Sequence, residues 1–201
     1  MHFNVIVNNA LALQQEYEQV HLFDVSNPKM SKVVRWHPPP SDFMKLNIDG
    51  AAFPKHSVAG VGVVLRNHNG EVVVACSKVE KEVSSTEFIE AVALLRDLQL
   101  CIQWGVPKLM FETNFLILVN ALNENSECLI DFAFILQDIR RLMAAFQEVK
   151  VVHVNRLDNL VAHLLAKHAW LIDDICMWCD FCPPFVSQAI WLDQLAICKD
   201  L

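Results

Sequence analysis

The middle of the chain alternates between two hydrophobic periods, and the alternation predicts its elements. In Phe43–Asp49, the apolar Met44, Leu46 and Ile48 alternate with Lys45, Asn47 and Asp49, the pattern of a strand. Gly60–Arg66 is a short apolar run that reads as a second strand. Behind it, Asn67-His68-Asn69-Gly70 is a turn, since Asn-Gly tolerates positive φ. Glu71–Lys78 returns as a third strand of an antiparallel meander. Ser84 with Glu87 three residues on fits a capping box. Ile89, Val92, Leu94, Leu95, Leu98 and Ile102 carry a helix from there to about Gly105. Pro107–Glu112 is predicted as a short strand, Phe115–Leu122 as a helix, and Leu129–Phe146 as an amphipathic helix with Ile135, Ile139, Leu142 and Phe146 on one face. Lys150–Val154 is a fifth strand, and Asp158 caps a last helix to about Leu171. The order β-β-β-α-β-α-α-β-α predicts an α/β fold, a mixed five-stranded sheet covered by helices.

Outside this region the patterning loosens. Consecutive prolines in Trp36-His37-Pro38-Pro39-Pro40 continue neither a helix nor a central strand. They divide an N-terminal extension, residues 1–35, from a domain at 36–170. Residues 171–201 form a tail with five acids against Lys199, and Pro183-Pro184 breaks it.

Composition narrows the class. Of 201 residues, 54% are hydrophobic and 19% charged, which excludes intrinsic disorder. A mean hydropathy of +0.30 raises the question of a membrane, yet no run reaches the roughly 18–20 apolar residues of a spanning helix. Met1–Gln15 has no Lys or Arg and is interrupted by Asn4, Asn8, Asn9 and Gln14, unlike a secretory signal. An intracellular location and reduced cysteines are expected. Cys76, Cys101 and Cys128 read as buried core thiols. The net charge of -7 opposes long-range attraction to nucleic acid.

Two carboxylates stand out. Asp49 ends the first strand before Gly50, where a side chain projects from a sheet edge. Glu90 lies one turn into the following helix among apolar residues. With Trp36–Pro40, Lys45–Ala51 (KLNIDGA), Ala59–Arg66 (AGVGVVLR), Glu90–Leu94 (EAVAL), Phe111–Asn114 (FETN), and His153–Arg156 with Asn159, Ala162, His163, Leu164 and Ala166, the order resembles the type 1 ribonuclease H fold. More closely, it resembles the ribonuclease H-like domains of plant retroelement-derived proteins. The acidic, Trp- and Pro-containing tail is similar too.

The resemblance implies metal-dependent hydrolysis of the RNA strand of RNA–DNA hybrids. Converging carboxylates hold two Mg²⁺ (or Mn²⁺) ions, one activating water and one stabilising the leaving oxygen. By position, Asp49 and Glu90 match the first two metal ligands. Asn114 stands at the third, where Asp is usual, so one negative charge is lost. His163 stands at the fourth; imidazole suits Mn²⁺ better than Mg²⁺ and can move protons. Activity is therefore expected to be weakened, the alternative being a non-catalytic nucleic-acid-binding or protein-interaction module. Glu112 and Asp158 are the nearest substitutes, but Glu112 is expected on the face opposite Asn114. Hybrid recognition across the minor groove assigns Asn47, Asn159 and Arg156 as contacts. Arg140, Arg141, Lys150 and His153 read as a solvated face, and Phe53, Phe111 and Phe115 as core. Cys176, Cys179 and Cys182 have C-x₂-C-x₂-C spacing, but no fourth ligand follows at a zinc-site spacing; they read as unrelated thiols.

Overall fold

In the computed structural model, residues 36–53, 56, 58–81, 86–124 and 130–197 are described. The N-terminal extension, Ser84 of the capping box and Cys128 lie outside them.

The central strand β1, Met44–Phe53, pairs antiparallel with β2, Val58–Arg66, which pairs antiparallel with β3, Val72–Lys81. Gly70 at the β2–β3 turn has φ 79°, as its Asn-Gly sequence predicts. Helix α1, Thr86–Gln103, leads to β4, Lys108–Thr113, parallel to β1. Helices α2, Leu116–Glu124, and α3, Ile130–Met143, lead to β5, Glu148–His153, parallel to β4. Helix α4, Leu160–His168, follows, extended by a 3₁₀ turn over Ala169–Leu171.

The predicted order is present, and one strand is added. Ile175–Cys179, expected in the tail, forms β6 antiparallel to β3, giving a six-stranded sheet ordered β5-β4-β1-β2-β3-β6. Helix α5, Ser187–Ile197, comes after it. The described residues fall in one compact unit, Arg35–Leu201.

One face of the sheet packs against α1 and α3 through Leu46, Ile48, Leu94, Leu98, Phe111 and Ile139. On the other, α4 settles onto β2 at two glycines. A Cβ at Gly60 would lie 2.1 Å from the Ala166 carbonyl oxygen, and one at Gly62 2.0 Å from that of Ala162. Glycine there is a requirement of close backbone approach. The α4 cap position is Asn159, not the expected Asp158, and no side-chain capping bond forms. Among the described residues, no helix is long and apolar enough to cross a membrane.

Candidate active site

Asp49 lies within β1, opposite Gly62 of β2, and is 2% exposed. The close seating of α4 at Gly62 brings His163 over it, and the His163 Nδ1 to Asp49 Oδ2 distance is 2.6 Å. A carboxylate only accepts hydrogen bonds, so Nδ1 carries a proton; in the neutral ring Nε2 is then the acceptor nitrogen. Asn159, one turn earlier on α4, donates from Nδ2 to the Ile48 carbonyl at 2.8 Å. It anchors the helix to β1 beside Asp49.

Glu90 is buried on α1. Thr113 Oγ1 donates to Glu90 Oε2 at 3.0 Å, and accepts from the Phe115 N–H at 3.1 Å. Thr113 thereby ties Glu90 to the end of β4, where the chain turns through Asn114 into α2. β1 and β4 run parallel with Asn47 beside Glu112. Two residues further, that register sets Asn114 level with Asp49. Asn114 Oδ1 is shut off from solvent and has no hydrogen-bond partner among the described residues, while its carbonyl meets His153 Nε2 at 3.3 Å.

All four expected positions thus belong to segments meeting at one end of the β1–β4 pair. Their contacts include Asp49–His163, Glu90–Thr113 and Asn114–His153. Among the described residues, no set of three or more His, Cys, Asp or Glu side chains is grouped to hold a metal ion.

The expected nucleic-acid contacts separate. Asn47 is completely buried. Its Nδ2 donates to Glu112 Oε2 at 2.9 Å, and its Oδ1 accepts from Trp36 Nε1 at 3.1 Å and Arg66 Nη2 at 3.2 Å. It therefore presents no surface to a ligand. Alternation placed it on the face shared with Asp49, but helices cover both faces of this sheet. Asn159 is likewise interior, at 1% exposed. Arg156 is exposed in the turn before α4. The remaining bases do not form one patch: Arg140 donates to the Ala121 carbonyl, Arg141 pairs with Asp138, and Lys150 with Glu148.

Glu112 does not replace Asn114. It accepts from Lys45 Nζ at 2.5 Å as well as from Asn47, in a buried network that the sequence did not reveal. Lys45 also donates to the His37 carbonyl at 2.7 Å. The Arg66 guanidinium lies 3.7 Å from the Trp36 ring centroid and donates to Asp193 Oδ2 on α5 at 2.6 Å. Burial pulls Lys45 and Arg66 below their ordinary pKa values and raises Asp193. A lysine and an arginine within apolar strands were the available signal. Asp158 is also buried, with Oδ1 unpartnered and its pKa raised by desolvation.

Phe111 belongs to the core cluster, the partly buried Phe115 packs against it, and Phe53 packs on Trp170 with ring centroids 5.3 Å apart. Buried Cys76 and Cys101 have thiol pKa values pushed up to about 12 by desolvation. Cys176 and Cys179 lie three apart on β6, and so on opposite faces of the strand.

This sheet order, with α1 and α4 on opposite faces, is a ribonuclease H-like fold. Ribonuclease H1 from the archaeon Halobacterium salinarum NRC-1 matches at TM-score 0.59 and 22% identity, over 64% of this chain and 97% of that one. LC11 ribonuclease H1, isolated from compost and solved with an RNA/DNA hybrid, matches at TM-score 0.57 and 20% identity, over 63% and 95%. The foamy viral protease–reverse transcriptase solved with double-stranded DNA matches at 0.51 and 14%, over 65% and 97%. A comparison with curated proteins finds no match. Residues 47–169 match the reverse transcriptase-like family, and the chain belongs to that family.

Proposed function

We propose that this chain is a nucleic-acid-binding domain of ribonuclease H type that hydrolyses the RNA strand of RNA–DNA hybrids slowly, with Mn²⁺ favoured over Mg²⁺. The observation carrying the reading is the meeting of the Asp49, Glu90, Asn114 and His163 segments at one end of the β1–β4 pair. A fold neighbour bound to an RNA/DNA hybrid supports the substrate class. The lead-in Trp36–Pro40 and the tail composition support a plant retroelement-derived origin.

By donor type the set suits one divalent ion rather than two. The Asp49 oxygen that does not meet His163, the Glu90 carboxylate and the unpartnered Asn114 Oδ1 are oxygen donors of the required type. Two adjacent dications need more negative charge than Asp49 and Glu90 supply. When bound, the ion supplies electrostatic stabilisation of the phosphate and a more acidic water. The residues do the rest. Thr113 fixes the orientation of Glu90. Asp49 fixes the His163 ring so that Nε2 can take a proton. Arg156 meets the phosphate backbone, which positions the duplex without reading sequence.

A non-catalytic binding module is the second reading. It is favoured by the 2.6 Å Asp49–His163 contact, which engages a carboxylate oxygen that a second ion would require. A labelled hybrid incubated with the protein in Mg²⁺ and Mn²⁺ tests both. Slow Mn²⁺-supported cleavage, lost in Asp49→Asn with binding retained, is expected. Binding without cleavage in either metal leaves the module reading. Failure to bind the hybrid removes the nuclease and the nucleic-acid-binding module, leaving only the protein-interaction module.

A further inference from the structure

A cavity of about 130 Å³ lies between α1 and the β2–β3–β6 face of the sheet, away from the candidate active site. Leu46, Val63, Val74, Ala93, Leu100 and Met177 give it an apolar wall. Cys76 and Cys101 add neutral thiols, both buried. Asp97 of α1 also lines it. Its Oδ2 is shut off from solvent and has no hydrogen-bond partner among the described residues. The other lining carboxylate, Glu80, is matched by Lys78 at 2.6 Å and by Arg96. The cavity thus combines an apolar wall with one unsatisfied acceptor. A buried acceptor without a partner is costly, and a ligand that supplies a donor relieves that cost.

We propose that this cavity binds a small apolar primary amine, its hydrocarbon against the sheet and its nitrogen donating to Asp97 Oδ2. The size fits a single ring: an apolar cavity of about 150 Å³ accepts benzene. One polar group among apolar walls is the usual composition of a small-molecule site. The Asp97 carboxyl oxygen accepts from an N–H donor, and an apolar pocket disfavours burying an anion that brings no donor. Burial raises the Asp97 pKa to about 8 against the opposing pull of Arg96; Arg96 and Lys78 also line the cavity, and both pair with Glu80. The proposal is independent of the nuclease reading.

The test uses the full chain and three probes of one ring each, benzylamine, toluene and benzoate, followed by calorimetry and by ligand-observed NMR. Benzylamine is expected to bind with Kd about 1 mM or tighter, and benzoate not at all. Asp97→Asn should weaken benzylamine at least about tenfold, the scale of one lost charge-assisted hydrogen bond, and leave toluene and hybrid binding unchanged. Met177→Trp, at the exposed rim on β6, should block both benzylamine and toluene while keeping the fold. Absence of benzylamine binding overturns the proposal. So does equal binding by wild type and Asp97→Asn, or persistence of binding in Met177→Trp.

Discussion

Gly62→Ala couples the fold to the site most directly. Gly62 faces Asp49 across the β1–β2 ladder. A Cβ there would stand 2.0 Å from the Ala162 carbonyl oxygen and 2.2 Å from the Ala166 nitrogen, and both are backbone atoms. Ordinary contact begins near 3.4 Å, so α4 must retreat by 3.4 − 2.0 = 1.4 Å at that point. His163 is the residue after Ala162, and its 2.6 Å contact with Asp49 would lengthen toward 4 Å, outside hydrogen-bond range. Overpacking of this kind costs about 1–3 kcal/mol, a fall of about 2–12 °C in Tm for a chain of this size. The assay is thermal unfolding by circular dichroism, with the His163 ring proton followed by NMR. Gly105→Ala is the control: φ is 70° and nothing lies within 4 Å of its added Cβ, so only the backbone cost of about 1 kcal/mol applies, with no change at His163. A Gly62→Ala protein as stable as wild type, with an unshifted His163 signal, would refute the reasoning.

Other outcomes follow from the buried charges. Arg66→Met leaves Asp193 buried without its cation and should cost about 3–5 kcal/mol in denaturant unfolding. Replacing both, Arg66→Met with Asp193→Leu, should recover most of that loss; no recovery would argue against the pair. The native state keeps the Asp97 proton up to about pH 8, while an unfolded Asp loses it near about 4. Asp97 therefore makes stability fall as pH rises between these values. Asp97→Asn should gain more stability over wild type at pH 8 than at pH 5, measured by urea unfolding at each pH. Thr113→Ala removes one hydrogen bond from the Glu90 carboxylate and should slow any Mn²⁺-supported cleavage with hybrid affinity unchanged.

Most of the architecture was legible because periodicity reports local burial. The alternation of Met44, Leu46 and Ile48 located β1, and the spacing from Ile89 to Ile102 located α1. Strand β6 was not legible. Its sequence, Ile175–Cys179, is apolar or sulfur-containing throughout and has no polar alternation, and its partner β3 lies about a hundred residues away. The burial of Asn47 was not legible for a related reason: alternation gives the face of a strand, not whether a helix covers that face. At the site, Asp49 and Glu90 were legible as acids in unusual places. Asn114 and His163 acquired meaning only through family resemblance. The Asp49–His163 contact depends on how closely α4 approaches Gly60 and Gly62, a distance that no local pattern encodes.

The central claim is that the site keeps the ribonuclease H-type arrangement but lacks negative charge. Cleavage of a labelled RNA–DNA hybrid in Mg²⁺ by the double variant Asn114→Asp with His163→Asp tests this most directly. Cutting at least about a hundredfold faster than wild type is expected, about 3 kcal/mol of restored electrostatic stabilisation, abolished again by adding Asp49→Asn. A double variant that folds, binds the hybrid and cuts no faster than wild type would contradict it.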